Sequence, residues 1–294
     1  MNNTIFITGS SGFVGKNLLK YFENIYTFSK YGKEASININ QEIVIHLAGK
    51  AHDLKNISNA DDYYIVNTEL TKQVFDNFLE SDAKVFITLS SVKAVADDLK
   101  CELTEEYTPA PITHYGKSKL LAEQYILSKQ IPEGKRVYIL RPCMIHGPGN
   151  KGNLNLLYKI VSKGLPWPLG AFVNKRSFCS IDNLCFIISE LIENDQIPSG
   201  VYNLADDESI STNELINLIS LGLGKKPHIW NVPQPLIKFI SKLGDVLRLP
   251  LNSERLSKLT ETYIVSNNKI KKEIYKPLPI SSKDGLIKTF TSFK

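Results

Sequence analysis

Cysteine is scarce and scattered. The four in this 294-residue chain, at positions 101, 143, 179 and 185, make no CxxC pair and no metal-like grouping with the five histidines. That excludes a disulfide framework and a zinc site, leaves no metal to expect, and suits free thiols in a reducing compartment. Long apolar runs are also missing: no uninterrupted stretch approaches the ~20 residues a membrane-spanning helix needs. The opening residues, MNNTIFITG, lack the basic segment and apolar core of a secretion signal, so the cytoplasm is the expected location. There is no internal repeat and no low-complexity tract. The lysines behind the net charge of +5 are scattered, with no basic run interleaved with aromatics. Such a balance suits an anionic small molecule and gives nucleic acid no footprint. What remains, 43% hydrophobic and 22% charged residues, is enough for a large core in one or two domains.

Short β-branched or aromatic runs occur at 4–9 (TIFITG), 25–29 (IYTFS), 43–49 (IVIHLAG), 84–91 (KVFITLSS), 136–142 (RVYILRP) and 201–205 (VYNLA). Helical patterns at 15–23, 62–80 and 114–130 fall between most of them. Continuously apolar strands joined by helical crossovers predict an α/β fold with a doubly wound parallel sheet, of Rossmann type. The remainder, with Pro- and Gly-rich loops at 147–170 and amphipathic helices at 212–221 and 234–247, reads as a smaller domain. The division expected is 1–143 plus about 178–205 for the sheet domain, and about 144–177 plus 206–294 for the other. The apolar segment PLIKFISKLGDVLRL reads as a lid or packing helix in preference to a membrane-surface helix.

The first strand ends in TGSSGFVG, placing Gly9, Gly12 and Gly15 at a strand-to-helix turn. Glycines there permit a tight turn and close approach of a pyrophosphate, while the helix start offers unpaired N–H groups. The pattern alone is weak, but on the first strand of a βαβ array it points to a dinucleotide. The second strand ends in Ser29 and Lys30, followed by Tyr31, where a carboxylate would hold the ribose of NAD. A hydroxyl and an ammonium suit a 2′-phosphate, which favours NADP(H) and leaves NAD possible, with Glu34 nearby.

HYGKSK (114–119) carries Tyr115 and Lys119 one helical turn apart, after a helix start at Pro111 and Thr113. A bare YxxxK is usually a surface tyrosine and a solvated lysine. Beside a cofactor, however, the cation would lower the phenol pKa and make it a proton donor or acceptor.

With TGSSGFVG, HLAG, LSS, HYGKSK and LRPCMIHGPGN in that order, nearly the whole chain resembles the extended short-chain dehydrogenase/reductase family. Within it the resemblance is to the NAD(P)-dependent nucleotide-sugar epimerases, dehydratases and 4-keto reductases. The resemblance implies a Ser/Tyr/Lys catalytic group: Ser91 of LSS, with Ser90 as the competing assignment, then Tyr115 and Lys119. It places Gly9, Ser11, Gly12, Phe13, Val14, Gly15, Ser29, Lys30, Leu47, Ala48, Gly49, Asn67 and Pro142 around the cofactor, with Tyr115 and Lys119. His46 reads as structural and Tyr64 as a packing residue. For a UDP-sugar substrate it implies Asn153 and Leu154 of GNL, Leu169 of PLG, Arg176 of KRSFCSIDN on the diphosphate, Arg255 as a second clamp, and Ser91 with Lys93 near the sugar. Lys93 could equally be an exposed loop charge.

Two features separate the reactions. The missing acid on the second strand, and SSVK with Met144 in RPCMIHGPG, look more like UDP-4-keto-6-deoxyhexosamine reductases of surface-polysaccharide pathways than like 4-epimerases holding NAD. SSVKAVA lacks the acidic pair common in the family's dehydratases. A non-catalytic nucleotide-binding sensor remains the reading from another class, against which the intact Ser91, Tyr115 and Lys119 argue. The resemblance also implies a homodimer, through the YxxxK helix.

Overall fold

In the computed structural model the chain is described over residues 4–30, 37–50, 59–150, 152–247 and 252–293. Tyr31 and Glu34 lie outside the described residues, as does the side chain of Asn153. The first half runs β1 (Thr4–Thr8), α1 (Phe13–Tyr21), β2 (Thr27–Lys30), β3 (Ile43–His46), α2 (Ala60–Tyr63), a π-helical stretch at Tyr64–Glu69, α3 (Leu70–Glu80), β4 (Val85–Leu89), a 3₁₀ turn at Val92–Ala94 and α4 (His114–Leu127). It continues with β5 (Arg136–Pro142), β6 (Met144–His146), α5 (Asn153–Ser162), β7 (Phe178–Ser180), α6 (Ile181–Glu193) and β8 (Gly200–Leu204). Five helices close the chain: α7 (Thr212–Gly222), α8 (Gln234–Leu247), α9 (Ser253–Thr260), α10 (Asn268–Ile274) and α11 (Ser282–Thr291).

Six strands form one parallel sheet in the order β2-β1-β3-β4-β5-β8. Because side chains alternate along a strand, Ile5, Ile7, Ile45, Ile87 and Leu140 join one core with Leu18 of α1 and Leu184 of α6. Phe6, Val44, Phe86 and Ile139 face the other way, onto Val74, Phe75 and Phe78 of α3 and Ile126 of α4. Helices on both faces explain why these strands read as continuous apolar runs. From β1 the chain goes to β2 on one side, then crosses from β2 to β3 on the other side of β1. The crevice beyond the carboxyl ends of β1 and β3 is therefore a topological switch point, where such folds bind ligands.

A second core joins Leu154 and Leu157 of α5, Trp167, Leu169, Phe178, Ile216 and Ile219 of α7, and Leu286 and Phe290 of α11. β6 and β7 pair in a separate parallel two-stranded sheet, and only β8 of the 178–205 segment enters the main sheet. The helix α6, which the sequence reading did not pick out, carries Asp182, Ser189, Glu190 and Glu193 along one side, yet nearly every residue from Ile181 to Ile192 is buried.

The helix α8, expected as a lid or packing element, packs against α9, but not through its large apolar residues. It buries only a narrow face of Ile237, Ser241 and Gly244. Its larger apolar side chains, Leu236, Phe239, Ile240, Leu243, Val246 and Leu247, are exposed.

Candidate active site

Gly9 follows β1 at φ +69°, a left-handed conformation that glycine adopts without strain. A Cβ there would lie 2.6 Å from the Leu47 carbonyl carbon and the Ala48 nitrogen, so the loops after β1 and β3 can touch only because it is glycine. The Gly12 N–H donates to the Gly9 carbonyl at 3.1 Å. Gly12 also begins α1 with no side chain capping it and no acid in the first turn. Gly15 is buried against the Gly9 carbonyl and Ser10, where any Cβ would collide. Ser11 and Gly12 are exposed at the turn, whereas Phe13 and Val14 pack back onto the main core. An uncapped helix start at a glycine turn is an anion seat. The last pair of β2 puts Lys30 opposite Ile7 of β1, with Ser29 half-buried and Lys30 exposed.

Below this turn a directional chain of hydrogen bonds fixes the end of β3. The Ala48 N–H donates to Thr8 Oγ1 (3.1 Å), and Thr8 meets His46 Nδ1 (2.8 Å). His46 Nε2 meets Thr71 Oγ1 (2.9 Å), which donates to the Asn67 carbonyl (2.7 Å). With Thr71 already donating, His46 gives it the Nε2 proton and accepts from Thr8 at Nδ1, so one neutral tautomer satisfies every group. Burial, reinforced by the Lys119 charge, pushes the imidazole down to about 3. The structural reading of His46 therefore holds. Asn67 sits in the π-helical stretch, accepting the Lys50 N–H (2.7 Å) and donating to the Lys50 carbonyl (3.1 Å) and Ser118 Oγ (3.0 Å). It thus ties the loop after β3 to α4, and a Cβ on Gly49 would crowd both Asn67 Oδ1 and Lys119 Nζ.

Thr113 caps α4, accepting from the Gly116 N–H at 3.2 Å. Asp97 pins the approach to that helix by accepting the N–H groups of Ile112 (2.7 Å) and Thr113 (3.2 Å). Gly116 then matters by having no side chain, since a Cβ would collide with the Lys93 carbonyl. The close packing brings Tyr115 beside the 3₁₀ turn that Ser91 caps. Tyr115 and Ser91 are hydrogen-bonded. Lys119, one turn on, donates its buried amine to the Leu89 carbonyl at 2.8 Å. Burial lowers the Lys119 pKa to about 8, opposed by Glu123. The expectation that Lys119 lowers the phenol pKa is corrected. Burial raises Tyr115 above the usual phenol value, with the Ser91 hydrogen bond opposing it and Tyr63 adding to it. A phenol so held stays protonated, which suits an acid. Ser90, the competing assignment, is buried with an Oγ that has no partner among the described residues. Pro142 is buried at the end of β5, paired with Leu204 of β8. Tyr64 meets His114 at 3.1 Å at the surface and is more than a packing residue.

A nicotinamide dinucleotide fits these groups. The uncapped start of α1 and the glycine approach would hold its pyrophosphate, Leu47, Ala48, Gly49 and Lys119 its nicotinamide side, and the orphaned Ser90 hydroxyl marks a polar partner still to be met.

On the substrate side, Lys93 is not a loose loop charge. Its ammonium lies 4.1 Å over the Tyr263 ring and donates to the Asp97 carbonyl at 2.7 Å. Burial lowers its pKa against the pull of Glu261. Arg176 is paired with Glu261 at 2.9 Å and donates to the Lys258 carbonyl at 2.8 Å. Burial raises the Glu261 carboxyl, opposed first by Arg176 and then by Lys93. Two cations thus converge on one carboxylate. Arg255 lies on the exposed face of α9, three residues before the carbonyl that takes Arg176. Leu154 and Leu169 point into the second core, at 4% and 3% exposure, so their side chains are structural. Glu261, Tyr263, Asp97, Thr8 and Thr71 went unnoticed in the sequence. Thr8 and Thr71 had a faint signal, as hydroxyls next to the glycine turn and the Asn67 helix; Glu261 and Tyr263 had none, being 85 and 87 positions from Arg176.

Residues 5–205 match the NAD dependent epimerase/dehydratase family. The chain is 30% identical to UDP-glucose 4-epimerase of Vibrio cholerae, with 100% of this chain and 96% of that protein aligned. It is 28% identical to the N-acetyl-alpha-D-glucosaminyl-diphospho-ditrans,octacis-undecaprenol 4-epimerase of Escherichia coli O157:H7, over 92% of this chain and 86% of that one. Its fold is that of RMD from Pseudomonas aeruginosa complexed with NADPH, with a TM-score of 0.72, 20% identity and coverage of 99% and 98%. The matched segment takes in the whole parallel sheet, the glycine turn and the Ser91, Tyr115 and Lys119 cluster, and the chain belongs to the NAD-dependent epimerase/dehydratase family.

Proposed function

We propose that the protein reduces the C4 ketone of a UDP-4-keto-6-deoxy-N-acetylhexosamine with NADPH, in the synthesis of surface polysaccharide. The observation that carries this reading is the Ser91–Tyr115 hydrogen bond at the mouth of the sheet, with the Lys119 amine one helical turn on. A bound nicotinamide supplies the hydride. Tyr115 gives its proton to the oxygen that becomes negative at C4, and the phenolate regains a proton from solvent. Ser91 orients that phenol and the sugar oxygen. Lys119 holds the nicotinamide ribose. Arg176 and Lys93 bind the anionic part of the substrate and hold the sugar against Tyr115. NADPH is favoured by β2 ending in Ser29 and Lys30.

A second reading, 4-epimerisation with retained NAD, is supported by full-length similarity to two 4-epimerases. The same Tyr115 would then take the proton as well as return it. The exposed Leu121 and Leu127 of α4 suit a homodimer packed through that helix.

The test is to purify the protein without nucleotide, denature it, identify any released cofactor by mass, and titrate the apo protein with NADPH and NADH. Empty sites that prefer NADPH support the reductase. Near-stoichiometric NAD would replace it with the epimerase.

A further inference from the structure

The helix α8 is built inside out. Toward the body of the protein it turns Ile237, Ser241 and Gly244, two of them among the smallest residues. Toward solvent it turns Leu236 (50% exposed), Phe239 (60%), Ile240 (38%), Leu243 (43%), Val246 (79%) and Leu247 (63%). At 100° per residue these six fall in one stripe about 120° wide. Lys238 and Lys242 border the stripe on one side, both exposed. Asp245, the acid on that polar flank, is engaged by the N–H and hydroxyl of Ser253 at the start of α9. Trp230, four residues before the helix begins, is 58% exposed.

A large, continuous apolar stripe on a soluble surface marks a docking face. Its chemistry selects the occupant. Phe and Leu flanked by lysines, with a tryptophan four residues before the helix, are the composition of a helix that lies in the headgroup region of an anionic bilayer. The position is also consistent: α8 packs against α9, whose Lys258 carbonyl takes Arg176, so the helix is one element away from the substrate arginine.

We propose that α8 docks the protein peripherally on an anionic membrane surface, through Leu236, Phe239, Leu243 and Leu247 inserted at the acyl boundary and Lys238 and Lys242 at the phosphates. The proposal does not depend on which reaction the site performs.

The test is flotation of the full chain with vesicles of phosphatidylcholine alone and with phosphatidylglycerol added, beside a Phe239→Ser/Leu243→Ser variant and a Lys238→Glu/Lys242→Glu variant, each checked for an unchanged melting temperature. Both pairs lie outside the catalytic and binding machinery. Expected are co-flotation with the phosphatidylglycerol vesicles that weakens with salt, loss of roughly tenfold or more in bound fraction for the apolar variant, and a smaller, charge-dependent loss for the lysine variant. No flotation at low salt would overturn the proposal, as would flotation unchanged in the apolar variant. A dimer in sedimentation that this variant dissociates, with no vesicle binding, would assign the stripe to a second copy of the chain. If the apolar variant fails to fold, the lysine variant, whose side chains are in solvent, carries the test.

Discussion

Around the glycine turn, position is set by backbone. Gly9, Gly15 and Gly116 allow main chain to approach main chain, and Asn67 and the Thr8–His46–Thr71 chain lock the result with buried hydrogen bonds. Around Arg176, position is set by side-chain charge: Arg176 pairs with Glu261, and the Lys93 ammonium sits over the Tyr263 ring on the Asp97 carbonyl. The first arrangement is rigid, because a substitution meets a backbone atom. The second is one ion pair with a lysine nearby, which an anionic ligand can redistribute, since a guanidinium has five donors and the Glu261 and Lys258 contacts occupy only some of them. A preorganised half thus faces an adjustable half, which is how one scaffold can serve several sugars with one chemistry.

The sharpest way to break this contrast is at the join, where Tyr115 meets Ser91. Tyr115→Phe should lower turnover roughly 10²–10⁴-fold while leaving cofactor affinity unchanged, read by steady-state kinetics beside a cofactor titration. Next comes the rigid half: Gly9→Ala places a Cβ against the Leu47–Ala48 peptide at positive φ, and should cost about 2–3 kcal/mol in urea unfolding and abolish cofactor binding. In the adjustable half, Arg176→Ala should raise the substrate KM roughly 10- to 100-fold with little change in cofactor affinity or stability. A large loss of stability there would show that the ion pair is structural.

The smallest effect is in pH. His46 is neutral when folded, with its pKa depressed to about 3 from 6.5. The unfolded chain therefore binds the extra proton first, and stability present above 6.5 is lost as pH falls from there toward 3. Between pH 7 and 5 the loss is about 2 kcal/mol, and it should disappear in His46→Gln, measured by urea unfolding at the two pH values.

The same contrast explains what was legible in the sequence. The strands and the glycine turn announce themselves because periodicity and backbone chemistry are local. Tyr115 and Lys119 share a helix face, so their spacing carries the geometry. Ser91 was placed only by the family resemblance, because a serine after a strand can equally cap the next turn, as Ser91 also does. By contrast Glu261 reaches Arg176 across 85 residues, and no spacing rule links them. The helix α8 was read from its apolar residues as a packing element, yet it packs through Ile237, Ser241 and Gly244. Hydrophobic pattern locates an apolar face but not what covers it. The direction of the Tyr115 shift was misjudged for a related reason: burial, which a sequence does not show, raises it against the Ser91 hydrogen bond, while the Lys119 amine is directed to the Leu89 carbonyl.

The most direct test follows NADPH absorbance while the enzyme meets a UDP-4-keto-6-deoxy-N-acetylhexosamine, wild type beside Tyr115→Phe. Consumption of NADPH with formation of the 4-hydroxy sugar by the wild type, and its near-abolition in the variant with cofactor binding intact, is the expected result. Equal rates in the two proteins would contradict proton transfer by Tyr115, and with it the function assigned to the site.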